Sequence, residues 1–275
     1  MRRAPHRLPA YYRMQASYHL AFATELRAMM AQLPISAGDH VLDVCCGDGT
    51  YTDWFLPFVS PNGRVTAVDN ASSYLALARR RVAKHPRKSI KVVKGSIQRL
   101  PFKNNSFDVV WCAQSLFSLP DPLQALKEMA RVVRRGGIVA VLEDDTLHQL
   151  LIPWPVKLEL ALRKAEWDAF ERESNDARKY YVARGLRALF CKAGLRPQKK
   201  RTYAFQRALP LTPPEQTYIA EYLKDLVQRT APYLSSSDAE MASRFLSPRS
   251  PEYLPRQAHF SMTCLDHVMW GKKPS

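Results

Sequence analysis

The segment VLDVCCGDGT, residues 41 to 50, holds the residue types best suited to chemistry: Asp43 in an apolar run, then Gly47 and Gly49 with a second carboxylate, Asp48, between them. Glycines at this spacing let the backbone approach a ligand closely where a strand gives way to a helix. A dinucleotide turn would carry a third glycine to seat a pyrophosphate on the helix N-terminus, and Thr52 stands in that place. Asp43 and Asp48 make the turn acidic, which opposes pyrophosphate and suits a cationic amino group. Further on, the run VTAVDN ends a second strand on Asp69, where a carboxylate can accept both hydroxyls of a ribose. The expected ligand is therefore a cationic nucleoside rather than a dinucleotide. The structural alternative for Asp69 is an N-cap for the helix ASSYLALARR.

A second acidic group, Glu143, Asp144 and Asp145 followed by His148, falls at the mouth of a later strand, on the ligand-bearing edge of a parallel sheet. These residues are candidates for handling a second substrate, with Glu143 and His148 as the catalytic pair. His19 and His259 are alternatives, and Tyr11, Tyr12 and Tyr18 could form an aromatic lid.

Hydrophobic periodicity supplies the frame for these groups. Tyr18, Phe22, Leu26 and Met29 recur at helical steps between Pro9 and Leu33. Strands at His40–Val44, Arg64–Val68, Lys91–Val93, Phe107–Trp111 and Ile138–Leu142 then alternate with helices from near Tyr51, at Ser72–Lys84 and at Pro122–Val133. Such alternation specifies a parallel sheet with crossover helices on both faces. Helices at Pro155–Glu173 and Tyr180–Ala193, a strand at Gln198–Arg207, a helix at Pro214–Arg229 and a last strand at His259–Trp270 complete the reading. The fold class is α/β: a Rossmann-like doubly wound sheet, mostly parallel, with an antiparallel last strand. The expected organisation is a helical N-terminal cap over 1–34, a cofactor-binding core over 35–209, a helical substrate-side insertion over 210–256 and the final core strand over 257–275.

Four segments in order, VLDVCCGDGT, VTAVDN, GSIQRLPFKNNSFDVV and DPLQALKEMARVVRRGGIVAVLE, carry a family resemblance. The stretch from Val41 to Glu143 resembles the ubiquinone/menaquinone-biosynthesis type of class I S-adenosylmethionine-dependent methyltransferase. The resemblance implies S-adenosyl-L-methionine as cofactor, with Asp43, Gly47 and Gly49 framing its methionine end, Asp69 the ribose and Asn70 the adenine. Cys45 occupies the place of the usual first glycine, as in that branch. Ser96 and Ile97 stand where the family reads the adenine edge, although Ser96 replaces a frequent acidic residue. Cys112, Ala113 and Gln114 would line the sulfonium side through their backbone. Phe117 replaces a polar residue common in relatives and is read as a packing aromatic. The resemblance fades after Glu143, so its quinone acceptor is not carried over. The apolar residues Tyr218, Ile219, Tyr222, Leu223 and Leu226 suggest instead a pocket for a small hydrophobic or aromatic acceptor.

The formal net charge is +16, with +8 in residues 1 to 150 and +8 in the remainder, so no basic tail carries the excess. A field of that sign attracts polyanions, and it raises RNA methylation as an alternative function. No RNA-binding module accompanies it, and after the fourth strand the chain reads WCAQ. Nucleic acid is accordingly not the expected partner, and peripheral membrane contact is compatible with the charge. A cofactor-binding regulator without activity is the second alternative. Five cysteines form neither a CxxC pair nor a zinc-spaced cluster, so no structural metal is expected. Without a secretory signal or an apolar run of membrane-spanning length, the chain reads as cytoplasmic.

Overall fold

The computed structural model describes residues 8–60, 62–85, 89–173 and 180–275, so the first seven residues of the expected cap lie outside it. The cap is two helices, α1 (Tyr12–Ala21) and α2 (Ala23–Met30), rather than one. They part at Phe22, whose backbone leaves helical geometry while its ring is fully buried against Phe205 and Tyr218. Tyr18, Leu26 and Met29 join Phe22 in the core, as their spacing predicts.

The alternating region forms β1 (His40–Val44), α3 (Thr50–Val59), β2 (Arg64–Asp69), α4 (Ser72–Val82), β3 (Ile90–Lys94), β4 (Phe107–Ala113), α5 (Pro122–Val132) and β5 (Val133–Asp144). All five strands run parallel in the order β3-β2-β1-β4-β5. Both faces of this sheet are covered, so its strands are apolar on both sides. Along β4, Val109 and Trp111 enter one core, while Val110 and Cys112 enter the other.

The remainder comprises the two-residue strand β6 (Leu150–Leu151), α6 (Val156–Glu173), α7 (Val182–Lys192), β7 (Arg196–Ala208), α8 (Pro213–Thr230), α9 (Ser236–Leu246) and β8 (Ser261–Lys272). Strand β8 is antiparallel to β5, and β7 pairs with β8 along its whole length. The expected antiparallel last strand is thus present. Between β7 and β8 lie two helices where one was expected. The second, α9, is capped by Ser235, which accepts the Asp238 amide at 3.2 Å, and its start is concealed in the run of serines. Helix α8 opens with a capping box in which Thr212 donates its amide to Glu215 at 2.7 Å.

Arg207 ties the cap to this late region. Its guanidinium pairs with Glu25 of α2 at 2.7 Å and Glu215 of α8 at 2.5 Å, donates to the Ala21 carbonyl at 2.7 Å, and lies over the Phe22 ring. Helix α1 is thereby held along α8. No helix among the described residues is long and apolar enough to cross a membrane.

Candidate active site

The carboxyl ends of β1, β2 and β4 open into a cavity of about 980 Å³, roofed by the start of α1 and by α8. Its walls include Cys45, Gly47, Asp69, Asn70, Ser96 and Ile97, and beyond these Gln114 and Phe117. Seven of the ten residues expected to bind a cofactor therefore line one space. Their arrangement follows from three left-handed residues in the β1–α3 turn: Cys45 at φ 55, Gly47 at φ 53 and Gly49 at φ 80. At Gly47 an added Cβ would meet only the Tyr74 ring, at 3.9 Å, so the turn leaves open space there. At Gly49 it would lie 3.1 Å from the Cα and Cβ of Ala78, which packs the turn against α4. Cys45 and Gln114, also left-handed at φ 47, bear that conformation without being glycine, and such strain concentrates at functional sites.

Both carboxylate oxygens of Asp69 are held by backbone amides. One of its oxygens accepts the Gly47 amide at 3.0 Å, and the other accepts the Ala71 amide at 2.8 Å. Helix α4 has Ala71 as its N-cap, so Asp69 is not the capping residue. Burial raises its pKa, and the backbone amides of Ala71, Gly47 and Asn70 oppose that rise. Each oxygen keeps a lone pair for a further donor, the pattern a vicinal diol requires.

The other expected residues stand back from the cavity. Asp43 is buried beneath the turn, accepts the Thr52 hydroxyl at 2.5 Å, and is pushed up to about 7 by burial. Ala113, at the end of β4, and Gly49 likewise do not line the space. Asp48 was expected to face a cationic ligand, but it is neutralised from within the protein. Arg81 donates to its carboxylate at 2.6 Å and to its carbonyl at 3.0 Å, drawing one member of the Arg79-Arg80-Arg81 run inward.

Strand alternation separates the acidic triplet. Strand β5 continues to Asp144, so Glu143 and Asp144 point to opposite faces, and Asp145 follows the strand end. Glu143 is fully buried and accepts the amides of Ser115 at 2.9 Å and Leu116 at 2.6 Å, with its pKa pushed up to about 8 by burial. It supports the turn after β4 and does not line the cavity. Asp145 pairs with Arg184 at 2.5 Å. His148, half exposed, lies 3.4 Å from Asp145 and 3.2 Å from Arg184, also outside the cavity. The expected catalytic pair is therefore not brought together on the open space. His19 is buried against Tyr51 and Trp54 and is lowered to about 4 by burial, and His259 is exposed.

Across the sheet from the glycine turn, two facing carboxylates reach the cavity, Asp144 and Asp266. They are register partners across β5 and β8, so their side chains share a face of the sheet. The Tyr18 hydroxyl donates to Asp266, and Thr146 donates to Asp144 at 3.3 Å. Burial, and then the neighbouring charge of Asp144, pushes Asp266 up to about 7 despite its bond from Tyr18, and burial pushes Asp144 to about 6. Asp266 escaped the sequence reading, although an aspartate inside the apolar run MTCLDHVMW was the available signal. Tyr18, Tyr218 and Tyr222 form aromatic walls beside the pair.

Comparison with known proteins finds likenesses to part of this arrangement. Residues 42–141 match the family described as methyltransferase domain. The matched stretch takes in the parallel strands β1 to β5 of the Rossmann-like sheet and the helices between them. Among curated proteins, the demethylmenaquinone methyltransferase of Alkalihalophilus pseudofirmus is 38% identical over 116 residues, which is 42% of this chain and 49% of that protein. The chain thus spans about half the length of the curated relatives it matches. Among solved structures, the YcgJ protein of Bacillus subtilis aligns over 92% of this chain and 99% of its own, with a TM-score of 0.56 and 18% identity. A SAM-dependent methyltransferase from Aquifex aeolicus aligns over 68% of this chain and 90% of its own, at a TM-score of 0.51 and 20% identity. Those two likenesses concern the fold.

Proposed function

We propose that this protein transfers a methyl group from S-adenosyl-L-methionine to a small acceptor with an aromatic or apolar body. One observation carries the reading: Asp69, at the end of β2, is oriented by the Gly47 and Ala71 amides and lines the same cavity as the glycine turn. Asp69 holds the ribose, Asn70 and Ile97 flank the base, and the Cys45–Gly47 turn with the Gln114 backbone receives the methionine portion. When bound, the cofactor supplies an electrophilic methyl group on a sulfonium, whose displacement is in-line and responds chiefly to positioning.

The protein's contribution is then to enclose and orient the acceptor. Tyr18, Tyr218 and Tyr222 supply flat apolar walls, and the residues around α1 that line the cavity, Tyr11, Met14 and Gln15, cover its mouth. RNA is a poor fit, because the cavity lining is acidic although the whole protein carries +16.

Calorimetry with S-adenosyl-L-methionine and with NADH tests the reading. Binding of the first alone, followed by its conversion to S-adenosylhomocysteine with a small acceptor, is the expected result. Binding of NADH, or of neither, would contradict it.

A further inference from the structure

The charge of the cavity is opposite to that of the molecule. Asp69, Asp144, Glu173, Asp225 and Asp266 line it, whereas Arg229 is the one cationic side chain among its described lining residues. Arg229 is already engaged, with Asp225 at 2.6 Å and Glu166 at 3.6 Å. Asp69 belongs to the nucleoside end and Glu173 is exposed to solvent, which leaves Asp144 and Asp266 as the buried acids at the other end, with no lysine, arginine or histidine paired to either among the described residues. Both are more than nine-tenths buried. Like charges directly opposite one another on a sheet destabilise it, and two buried carboxylates without a countercharge are costly.

A further buried group lies in the same field. The Tyr51 hydroxyl, on a side chain only 5% exposed, has no hydrogen-bond partner among the described residues and feels the charge of Asp266. The site thus combines two facing acids, the Tyr18 donor and aromatic walls, with the Tyr51 phenol behind its lining and within the field of Asp266. A ligand group that becomes an anion there would add a third negative charge. A cation would relieve the repulsion and could rest against the ring faces of Tyr18 and Tyr218.

We propose that Asp144 and Asp266 form an ammonium-binding pair, so that the methyl acceptor of this site is a small aromatic or apolar amine that enters in its protonated form. The proposal rests on the methyltransferase reading above. The pair also accounts for the proton that must leave before nitrogen can act as a nucleophile. The ammonium, R–NH3+, yields one proton to a carboxylate oxygen of the pair, giving R–NH2 with its lone pair free and a neutral carboxyl group. That proton is later released to water. Tyr18 is a positioning residue, because its hydroxyl fixes the orientation of Asp266.

Isothermal titration calorimetry on the full chain saturated with S-adenosylhomocysteine provides the test. Benzylamine, 2-phenylethylamine and 3-phenylpropylamine are compared with the alcohols of the same skeletons. At least one amine is expected to bind ten-fold or more tightly than its alcohol, and Asp144→Asn or Asp266→Asn should remove most of that preference. The amine-to-alcohol comparison uses the unaltered protein, so it decides the matter even if a variant fails to fold. Equal binding of amines and alcohols, no amine binding, or a preference retained in both variants would overturn the proposal. A pair that serves only the sulfonium would weaken S-adenosyl-L-methionine more than S-adenosylhomocysteine on substitution while no amine bound, which also overturns it. Failure of S-adenosylhomocysteine itself to bind would instead contradict the methyltransferase reading.

Discussion

Arg81, from the last turn of α4, holds Asp48 in the β1–α3 turn by two hydrogen bonds, one to its carboxylate at 2.6 Å and one to its carbonyl at 3.0 Å. The carboxylate is 7% exposed and the guanidinium 36%, so the bond is only partly screened by water. Replacing Arg81 with Ala leaves a nearly buried charge uncompensated, at a cost of about 1–3 kcal/mol. Urea denaturation should register that loss, and calorimetry should show weaker binding of S-adenosyl-L-methionine because the turn is loosened. Arg79→Ala, on the same helix, should change stability by about 0.5 kcal/mol or less if its side chain is only solvated.

Two glycines with positive φ separate strain from crowding. At Gly38, φ is +95 and nothing lies within 4 Å of an added Cβ, so Gly38→Ala should cost about 1–2 kcal/mol from backbone strain alone. Gly49→Ala adds contact with the Ala78 backbone at 3.1 Å, and its cost should exceed that of Gly38→Ala by about 1–3 kcal/mol. Chemical denaturation midpoints for the two variants measure the difference directly.

Glu143 is predicted to be structural. Glu143→Ala leaves the amides of Ser115 and Leu116 without their acceptor, a loss of about 2–5 kcal/mol. Glu143→Gln retains an oxygen in the same place and should keep cofactor affinity and turnover within a few-fold. A Gln variant with unchanged melting temperature but abolished turnover would return Glu143 to a catalytic role.

Stability should fall as the solution becomes neutral. Burial pushes Asp43 and Asp266 up to about 7, Asp144 to about 6 and Glu143 to about 8. The folded protein then holds protons that the unfolded chain releases above about pH 4, so stability declines between about pH 4 and pH 8. Asp266 is surrounded by Tyr18 of α1, Tyr51 of α3, Asp144 of β5 and Cys264 of its own strand, and none of these supplies a positive charge. Glu25 and Glu128 act oppositely. Their partners Arg207 and Arg131 hold them below the usual range, and that stabilisation is lost as the pH falls through their folded values. Scanning calorimetry should find maximal stability in mildly acidic solution, and Asp266→Asn should flatten the decline toward pH 8.

The parts of this site that were legible in the sequence are local ones. Gly47, Gly49 and Asp69 sit at strand ends, where a few neighbouring residues determine the turn, and the strand His40–Val44 was found with its observed bounds. Asp144 and Asp266 depend instead on the register between β5 and β8, which the intervening helices and β7 determine together. The triplet 143–145 was closer to hand. Extending β5 past Leu142 makes its alternation turn Asp144 away from Glu143, whereas an early strand end left all three equivalent. Asp48 misled because its partner Arg81 arrives from a different helix.

The central claim is a nucleoside site built on Asp69, and calorimetric titration of S-adenosyl-L-methionine into the unaltered protein and Asp69→Ala tests it most directly. Loss of two charge-assisted hydrogen bonds to the ribose predicts affinity reduced by about 10²-fold or more, at about 1.5–3 kcal/mol per bond. Undiminished affinity in a folded Asp69→Ala protein would contradict the account.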